Sequence, residues 1–307
     1  MRELVVISGK GGTGKTSVTA ALAHLAARDG GAMLCDLDVD APDLHLLLAP
    51  DRAETRDFRS GNAAAVDPAA CTACGLCAEL CRFGAVRPAE DGRSYRVDET
   101  RCEGCRVCVE FCPAGAVAFR QKLCGRWHAS STRFGPLIHA QLFPGEENSG
   151  RLVALLKKEA RERAAALGLK LILCDGAPGI GCPVISSLSG AHFALIVTEP
   201  TPSGRHDLLR VAALCRHFGI PAGVAVNKHD LSPENSAEIA RCCADQGLPL
   251  LGLLPHDAVV VQAMLAGKCV TELPASPFSE ALCGVWKQVR GLLDTRRPSP
   301  FPTTFNS

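Results

Sequence analysis

Short apolar runs recur along the chain at residues 4–7, 32–35, 169–174, 194–198, 222–226 and 250–254, and polar or small residues follow each of them. A nearly uninterrupted apolar run of this length is what a strand buried on both faces requires, and such strands belong to parallel sheets. Between the runs, apolar residues return at helical spacing. Residues 17–27 are rich in Ala and Leu, residues 150–167 follow Ser149 as a cap, and residues 278–293 carry a wide apolar face. A shorter stretch at 44–48 also reads as helix. Strands and helices alternating in this way predict an α/β protein with a doubly wound, mostly parallel sheet. Two stretches break the rhythm: from Arg52 to about Val66 the pattern fades, and 121–150 shows no obvious strand of the sheet. His128 and His139 in the latter have no partner motif and read as structural.

Composition narrows the class. At 47% hydrophobic and 21% charged residues, the 307-residue chain is expected to pack a core. A net charge of +1 gives no general reason to expect a nucleic-acid partner. No apolar run approaches the length of a membrane span. The first strand leads directly into a glycine loop with no signal peptide before it, so a cytoplasmic location is expected. Cysteine is the anomaly, with 17 copies. In a cytosolic chain that density points to metal rather than to disulfides. Eight lie in one region. The others are Cys35, Cys124, Cys174, Cys182, Cys215, Cys242, Cys243, Cys269 and Cys283. Most of these fall in apolar segments and read as small core residues. Cys182, at the start of a helix, is expected to pack in the same way.

The first strand runs into Gly9-Lys10-Gly11-Gly12-Thr13-Gly14-Lys15-Thr16 and then a helix. Strand, glycine loop and helix in that order make a phosphate-binding loop. Glycines allow backbone N–H groups to converge on phosphate oxygens, and the helix N-terminus adds its own unpaired donors. Lys15 supplies a point charge for the terminal phosphates, and the Thr16 hydroxyl suits Mg²⁺. Carboxylates stand at two strand ends: Asp36-Leu37-Asp38 after the second strand, and Asp175 followed by Gly176-Ala177-Pro178-Gly179. In a doubly wound sheet such positions lie beside the loop.

With Lys10 before the paired glycines, the loop resembles the deviant Walker A motif of the MinD/ParA/Mrp family of P-loop ATPases. That resemblance implies ATP or ADP as ligand and a homodimer with ATP held between two chains, in which Lys10 reaches the partner's nucleotide. It also implies that Asp38 orients the attacking water, that Thr16, Asp36 and Asp175 hold the Mg²⁺ shell, and that Asn227, Pro255 and Asp257 touch adenine. Gly11, Gly12, Thr13, Gly14, Lys15 and Thr16 would cradle the phosphates. MinD proteins bind membranes through a C-terminal amphipathic helix. Here the 278–293 face is wide enough for core packing, which is the favoured reading.

The cysteine region is an internal repeat. Cys71-x2-Cys74-x2-Cys77-x3-Cys81 returns 31 residues later as Cys102-x2-Cys105-x2-Cys108-x3-Cys112, and Gly84-Ala85-Val86 matches Gly115-Ala116-Val117. Two interlocked runs of this kind are not zinc spacing. They resemble a bacterial-type ferredoxin with two [4Fe–4S] clusters, in which the last cysteine of each run serves the other cluster. The resemblance implies Cys71, Cys74, Cys77 and Cys112 for one cluster, and Cys102, Cys105, Cys108 and Cys81 for the second. Arg82 stands where that family usually has proline, placing a cation near a cluster.

The expected organisation is an ATPase domain at 1–58 and 121–294, an inserted α+β ferredoxin-like domain at 59–120, and a flexible tail at 295–307. Insertion between the two acidic strand ends lets nucleotide state act on the clusters. The leading expectation is a Mg²⁺-dependent ATPase gating electron transfer to a partner metalloprotein. The alternatives are an iron–sulfur or metal-cofactor assembly ATPase, and a MinD/ParA-like positioning ATPase with sensing clusters. The Mrp-type carriers use a C-terminal Cys-x2-Cys pair. Cys242 and Cys243 are adjacent and do not match it.

Overall fold

A computed structural model describes residues 1–146 and 149–295. The tail expected at 295–307 lies, beyond Thr295, outside them. The elements, in order, are β1 (Arg2–Ser8), α1 (Lys15–Arg28), β2 (Met33–Asp36), α2 (Leu44–Leu48), β3 (Asp51–Val66), α3 (Leu76–Glu79), β4 (Val86–Pro88), β5 (Tyr95–Val97), α4 (Val107–Glu110) and β6 (Val117–Thr132). They continue with β7 (Gly135–Leu142), α5 (Ser149–Ala166), β8 (Leu171–Pro178), α6 (Cys182–Leu188), β9 (Phe193–Thr198), α7 (Pro202–His217), β10 (Ala222–Asn227), α8 (Pro233–Asp245), β11 (Leu250–Leu254), α9 (Ala258–Leu265) and α10 (Pro277–Thr295). The chain divides into two compact units. One comprises Met1–Arg56, Trp127–Gln141 and the chain from Ser149; the other comprises Asp57–Arg126 and the stretch that begins at Leu142.

In the first unit the strand order is β11-β10-β9-β1-β8-β2-β7, followed by the parts of β6 (127–132) and β3 (51–56) that belong to this unit. Every pair from β11 to β7 is parallel. β6 and β7 are joined by two residues, which only antiparallel neighbours allow. Successive strands leave β1 on opposite sides, β8 and β2 on one and β9 on the other. The crevice for ligands at such a reversal lies beyond the carboxyl ends of the strands. Leu4, Val6, Leu34, Leu173 and Leu195 point to one face and pack with α1, α2 and α10. Their neighbours in sequence point to the other face, where α5, α6 and α7 pack. Phe278, Leu282, Val285, Trp286, Val289 and Leu293 of α10 are all buried in this core, as the width of its apolar face implies. Among the described residues no helix is long and apolar enough to cross a membrane.

The two stretches without a readable pattern are strands. Residues 51–66 form β3, and 117–142 supply β6 and β7. Their polar side chains are paired where they are buried. His139 Nε2 lies 2.9 Å from Ser130 Oγ, and His128 Nδ1 lies 2.9 Å from Thr55 Oγ1.

The second unit holds the repeat. Its backbone repeats as well as its sequence: Ala73 and Gly104, Gly75 and Arg106, and Gly84 and Gly115 all take positive φ. α3 and α4 start at equivalent places in the two halves. The halves also exchange equivalent hydrogen bonds, with Asp67 N–H donating to the Ala116 carbonyl at 2.8 Å and Asp98 N–H to the Ala85 carbonyl at 2.7 Å. Reciprocal bonds between matching residues are the mark of an internal two-fold relation.

Candidate functional site

β1 ends at Ser8, and the loop from Gly9 wraps the start of α1. Gly12 and Gly14 have φ of 80° and 87°, a region that favours glycine. At Gly14 a side chain is excluded twice, because an added Cβ would stand 2.3 Å from Asn227 Nδ2. Nothing lies within 4 Å of a Cβ built on Gly11 or Gly12, so that part of the loop is open to a ligand. Thr13 Oγ1 is buried and, among the described residues, has no hydrogen-bond partner. An orphaned hydroxyl inside a ring of backbone donors fits a phosphate oxygen.

Behind the loop, Lys15 is 6% exposed and donates to Asp175 Oδ1 at 2.8 Å, with Asp38 Oδ2 3.8 Å away. Thr16 donates to Asp175 Oδ2 at 2.7 Å, and Thr19 donates to Oδ1 at 2.9 Å. Burial alone would lower the Lys15 pKa, but Asp175, Asp36 and Asp38 together raise it. Register makes the cluster: Asp36 on β2 is the direct neighbour of Asp175 on β8. Asp36 Oδ1 accepts from Asp38 N–H at 3.1 Å, and Oδ2 accepts from Leu44 N–H at 3.2 Å. Asp36 therefore satisfies the first residue of α2, whose N-cap residue, Asp43, makes no side-chain capping bond. Burial holds the Asp36 carboxyl well above the usual range, the charge of Asp175 adds to that, and Lys15 opposes it. Asp38 is raised for the same first reason, burial, again with Lys15 opposing. Among the described residues no three or more His, Cys, Asp or Glu side chains converge closely enough to hold a single metal ion. Mg²⁺ does not require such a cage, since it keeps several waters and uses one or two carboxylates with substrate phosphates.

The next strand ends complete the edge. Lys10 lies apart from Asp175: its Nζ is 3.4 Å from Thr201 Oγ1, 3.4 Å from Ser203 Oγ and 3.5 Å from Glu199 Oε2. Asn227 ends β10 and donates from Nδ2 to the Thr13 carbonyl at 2.8 Å, so it buttresses the phosphate loop directly. Asp257 caps α9, its Oδ1 accepting from Val259 N–H at 3.0 Å, and Pro255 follows β11. Thr19 and Glu199 were not singled out from the sequence. The signal for Glu199 was its place at a strand's carboxyl end, and for Thr19 its position one turn after Lys15. Cys182 is exposed, contrary to the expectation that it packs. It is the first residue of α6, whose buried positions are Val184, Ser187 and Leu188.

In the second unit, one pocket is lined by Cys71, Cys74, Cys77 and Cys112, together with Gly75, Tyr95 and Pro113. Three of these cysteines come from the first run and the fourth from the second. Ala73 N–H donates to Cys71 Sγ at 3.4 Å and Ala116 N–H to Cys112 Sγ at 3.3 Å; Ala85 N–H donates to Cys81 Sγ at 3.3 Å, matching the bond at Cys112. Burial would raise the Cys81 pKa, but the backbone N–H groups of residues 83–86 outweigh it and lower it. Burial, with Cys102 and Cys105 close by, pushes Cys108 up to about 11.

The model of the CobQ/CobB/MinD/ParA nucleotide binding domain family matches residues 4–270, and the chain belongs to that family. With the Walker A loop complete, it is a P-loop ATP hydrolase of the MinD/ParA kind. An uncharacterized protein of Methanocaldococcus jannaschii is 33% identical over 233 residues, covering 76% of this chain and 80% of that protein. A cytosolic Fe-S cluster assembly factor, the Nubp1 homolog of Drosophila willistoni, is 27% identical over 141 residues, 39% of this chain and 45% of that protein. Among solved structures, the septum site-determining protein MinD of Pyrococcus horikoshii, complexed with Mg-ADP, is similar in fold. Its TM-score is 0.58 at 19% identity, covering 95% of this chain and 96% of that one.

Proposed function

We propose that this ATPase dimerises around Mg·ATP and that its nucleotide state gates electron transfer from two [4Fe–4S] clusters, held by an inserted ferredoxin-like unit, to a partner metalloprotein. The observation that carries the reading is the pocket shared by Cys71, Cys74, Cys77 and Cys112. Borrowing the fourth ligand from the other run is the pattern of two-cluster ferredoxins. By the internal two-fold relation, Cys102, Cys105, Cys108 and Cys81 form the second set. In sequence, the unit lies between Asp38 and Asp175, the two acidic segments of the nucleotide site.

At the nucleotide site, Gly11 to Thr16 bind the phosphates through backbone N–H groups and the Thr13 hydroxyl. Mg²⁺, when bound, neutralises charge on the transferred phosphoryl group, and Thr16, Asp36 and Asp175 are the residues to hold it through oxygen and water. Binding releases Lys15 and Thr16 from Asp175 and turns both toward the nucleotide. Asp38, part-buried and beside Lys15, orients the attacking water. Lys10 from a second copy stabilises the charge that spreads over the γ-phosphate oxygens.

Iron and acid-labile sulfide after anaerobic purification test the clusters, with about eight irons per chain expected. EPR of the reduced protein with ADP and with ATP tests the coupling. A shift in spectrum or potential between the two supports gating. Absent iron, or spectra indifferent to nucleotide, removes it. The similarity to the Nubp1 homolog favours a second reading, an iron–sulfur assembly ATPase. Clusters lost to a chelator, or passed to an apo-acceptor during ATP turnover, would select that reading over stable electron carriers.

A further inference from the structure

Lys10 Nζ is docked on Glu199, Thr201 and Ser203, apart from the Lys15–Asp175 pair. Two of its three acceptors lie in the segment joining β9 to α7, the Glu199 carboxylate at 3.5 Å and the Thr201 hydroxyl at 3.4 Å, and the third is the Ser203 hydroxyl in the first turn of α7, also at 3.4 Å. These acceptors are set in advance. Lys228 Nζ holds Glu199 Oε1 at 2.6 Å, and Thr201 Oγ1 caps α7 by accepting from Gly204 N–H at 2.9 Å. The Lys10 backbone is also held. Ser8 Oγ donates to the Lys10 carbonyl at 2.8 Å, and a Cβ on Gly9 would stand 2.4 Å from Asp207 Cβ on α7. Lys10 can therefore change partners by rotating its side chain while the loop stays in place.

We propose that Glu199 is a positioning residue that latches Lys10 in the lone protomer, and that the latch must open before Lys10 can reach the nucleotide of a second copy. The proposal rests on the dimeric reading above. Two features make the latch releasable. Its contacts are long for a charge-assisted bond, which runs near 2.7–2.9 Å, and Lys10 is 32% exposed. In contrast, Lys15 is 6% exposed and bonds Asp175 at 2.8 Å. Glu199 also keeps Lys228 after Lys10 leaves, so no carboxylate is stranded without a cation. Release then costs one weak ion pair per chain.

The test is the dimer dissociation constant with Mg and a non-hydrolysable ATP analogue, measured by sedimentation. An exposed pair is worth up to about five-fold in an equilibrium, and a dimer contains two. Glu199→Gln should therefore tighten the dimer by about two- to twenty-five-fold, with Mg·ADP affinity of the protomer unchanged. Ser203→Ala should act in the same direction but less. Lys228→Met leaves Glu199 to Lys10 alone and should weaken the dimer. In a Lys10→Ala background the Glu199→Gln effect should vanish; its persistence would assign Glu199 to the interface itself and overturn the latch. An unchanged or weaker dimer in Glu199→Gln, with Lys10→Ala still inactive in hydrolysis, also overturns the latch and leaves the role of Lys10 intact. Normal hydrolysis by Lys10→Ala removes the underlying reading instead.

Discussion

Replacing Asp175 by Asn keeps the shape of the side chain and removes its charge. Asp175 is fully buried and meets Lys15 at 2.8 Å, with Thr16 and Thr19 on the same carboxylate. The asparagine oxygen can still accept from Lys15 or Thr19, and its amide can donate to the Thr16 hydroxyl, so few hydrogen bonds are lost. What is lost is compensation for a buried ammonium. Breaking a buried pair from one side costs about 3–5 kcal/mol. Asp38 at 3.8 Å remains to share the charge, which puts the expected loss near the lower figure, about 3 kcal/mol. At about 2 °C per kcal/mol for a chain of this size, the nucleotide-free protein should melt roughly 6 °C lower. Thermal unfolding under anaerobic conditions measures this. A control fixes the cause: Lys15→Met combined with Asp175→Asn removes both charges and should recover part of the lost stability. A single variant that melts with the unmutated protein, or a double variant less stable than the single, would refute the ion pair as the source.

Four further outcomes follow from the same geometry. Lys10→Ala should bind ATP but lose about 10³-fold in hydrolysis, read by comparing equilibrium binding with phosphate release. Cys105→Ser should bleach one cluster in visible absorption without weakening ATP binding; loss of binding would contradict separate modules. Gly14→Ala should destabilise the loop and cut nucleotide affinity, because φ is 87° and the added methyl would meet Asn227. Burial is the largest single influence on Glu272 and would raise its pKa, but Arg133, which bonds it at 2.7 Å, and the Cys269 N–H together outweigh burial and draw it down to about 2. A lowered carboxylate contributes stability above its unfolded pKa and loses it as pH falls toward the folded one. Glu272→Gln should therefore cost about 1 kcal/mol in urea unfolding at pH 7, with the difference shrinking as pH falls from about 4.5 toward 2.

Much of the site was readable because its chemistry is local. The phosphate loop lies within eight consecutive residues, and each cysteine run within eleven, so spacing alone exposes them. The central strands were readable because burial on both faces leaves no polar position to confuse the pattern. β3 and β6 were not, for the opposite reason. His128 is a buried polar residue satisfied by Thr55, a partner that a window along the chain does not contain, and Ser130 is satisfied by His139 only because β6 and β7 pair. Cys182 misled because Val184 and Ile185 give it an apolar neighbourhood, while the start of α6 turns its own side chain outward.

What the amino-acid order determined by itself was the inventory: a loop able to hold phosphate, carboxylates at strand ends, and eight thiols in a doubled pattern. Which members of that inventory meet was decided only by the fold. Register across β2 and β8 sets Asp36 beside Asp175, and Asp175 then takes Lys15. Lys10, five residues earlier in the same loop, is taken by Glu199 instead. The two lysines are chemically alike and nearly adjacent along the chain. They differ because parallel strands far apart in sequence deliver different carboxylates to them, and no local spacing contains that information.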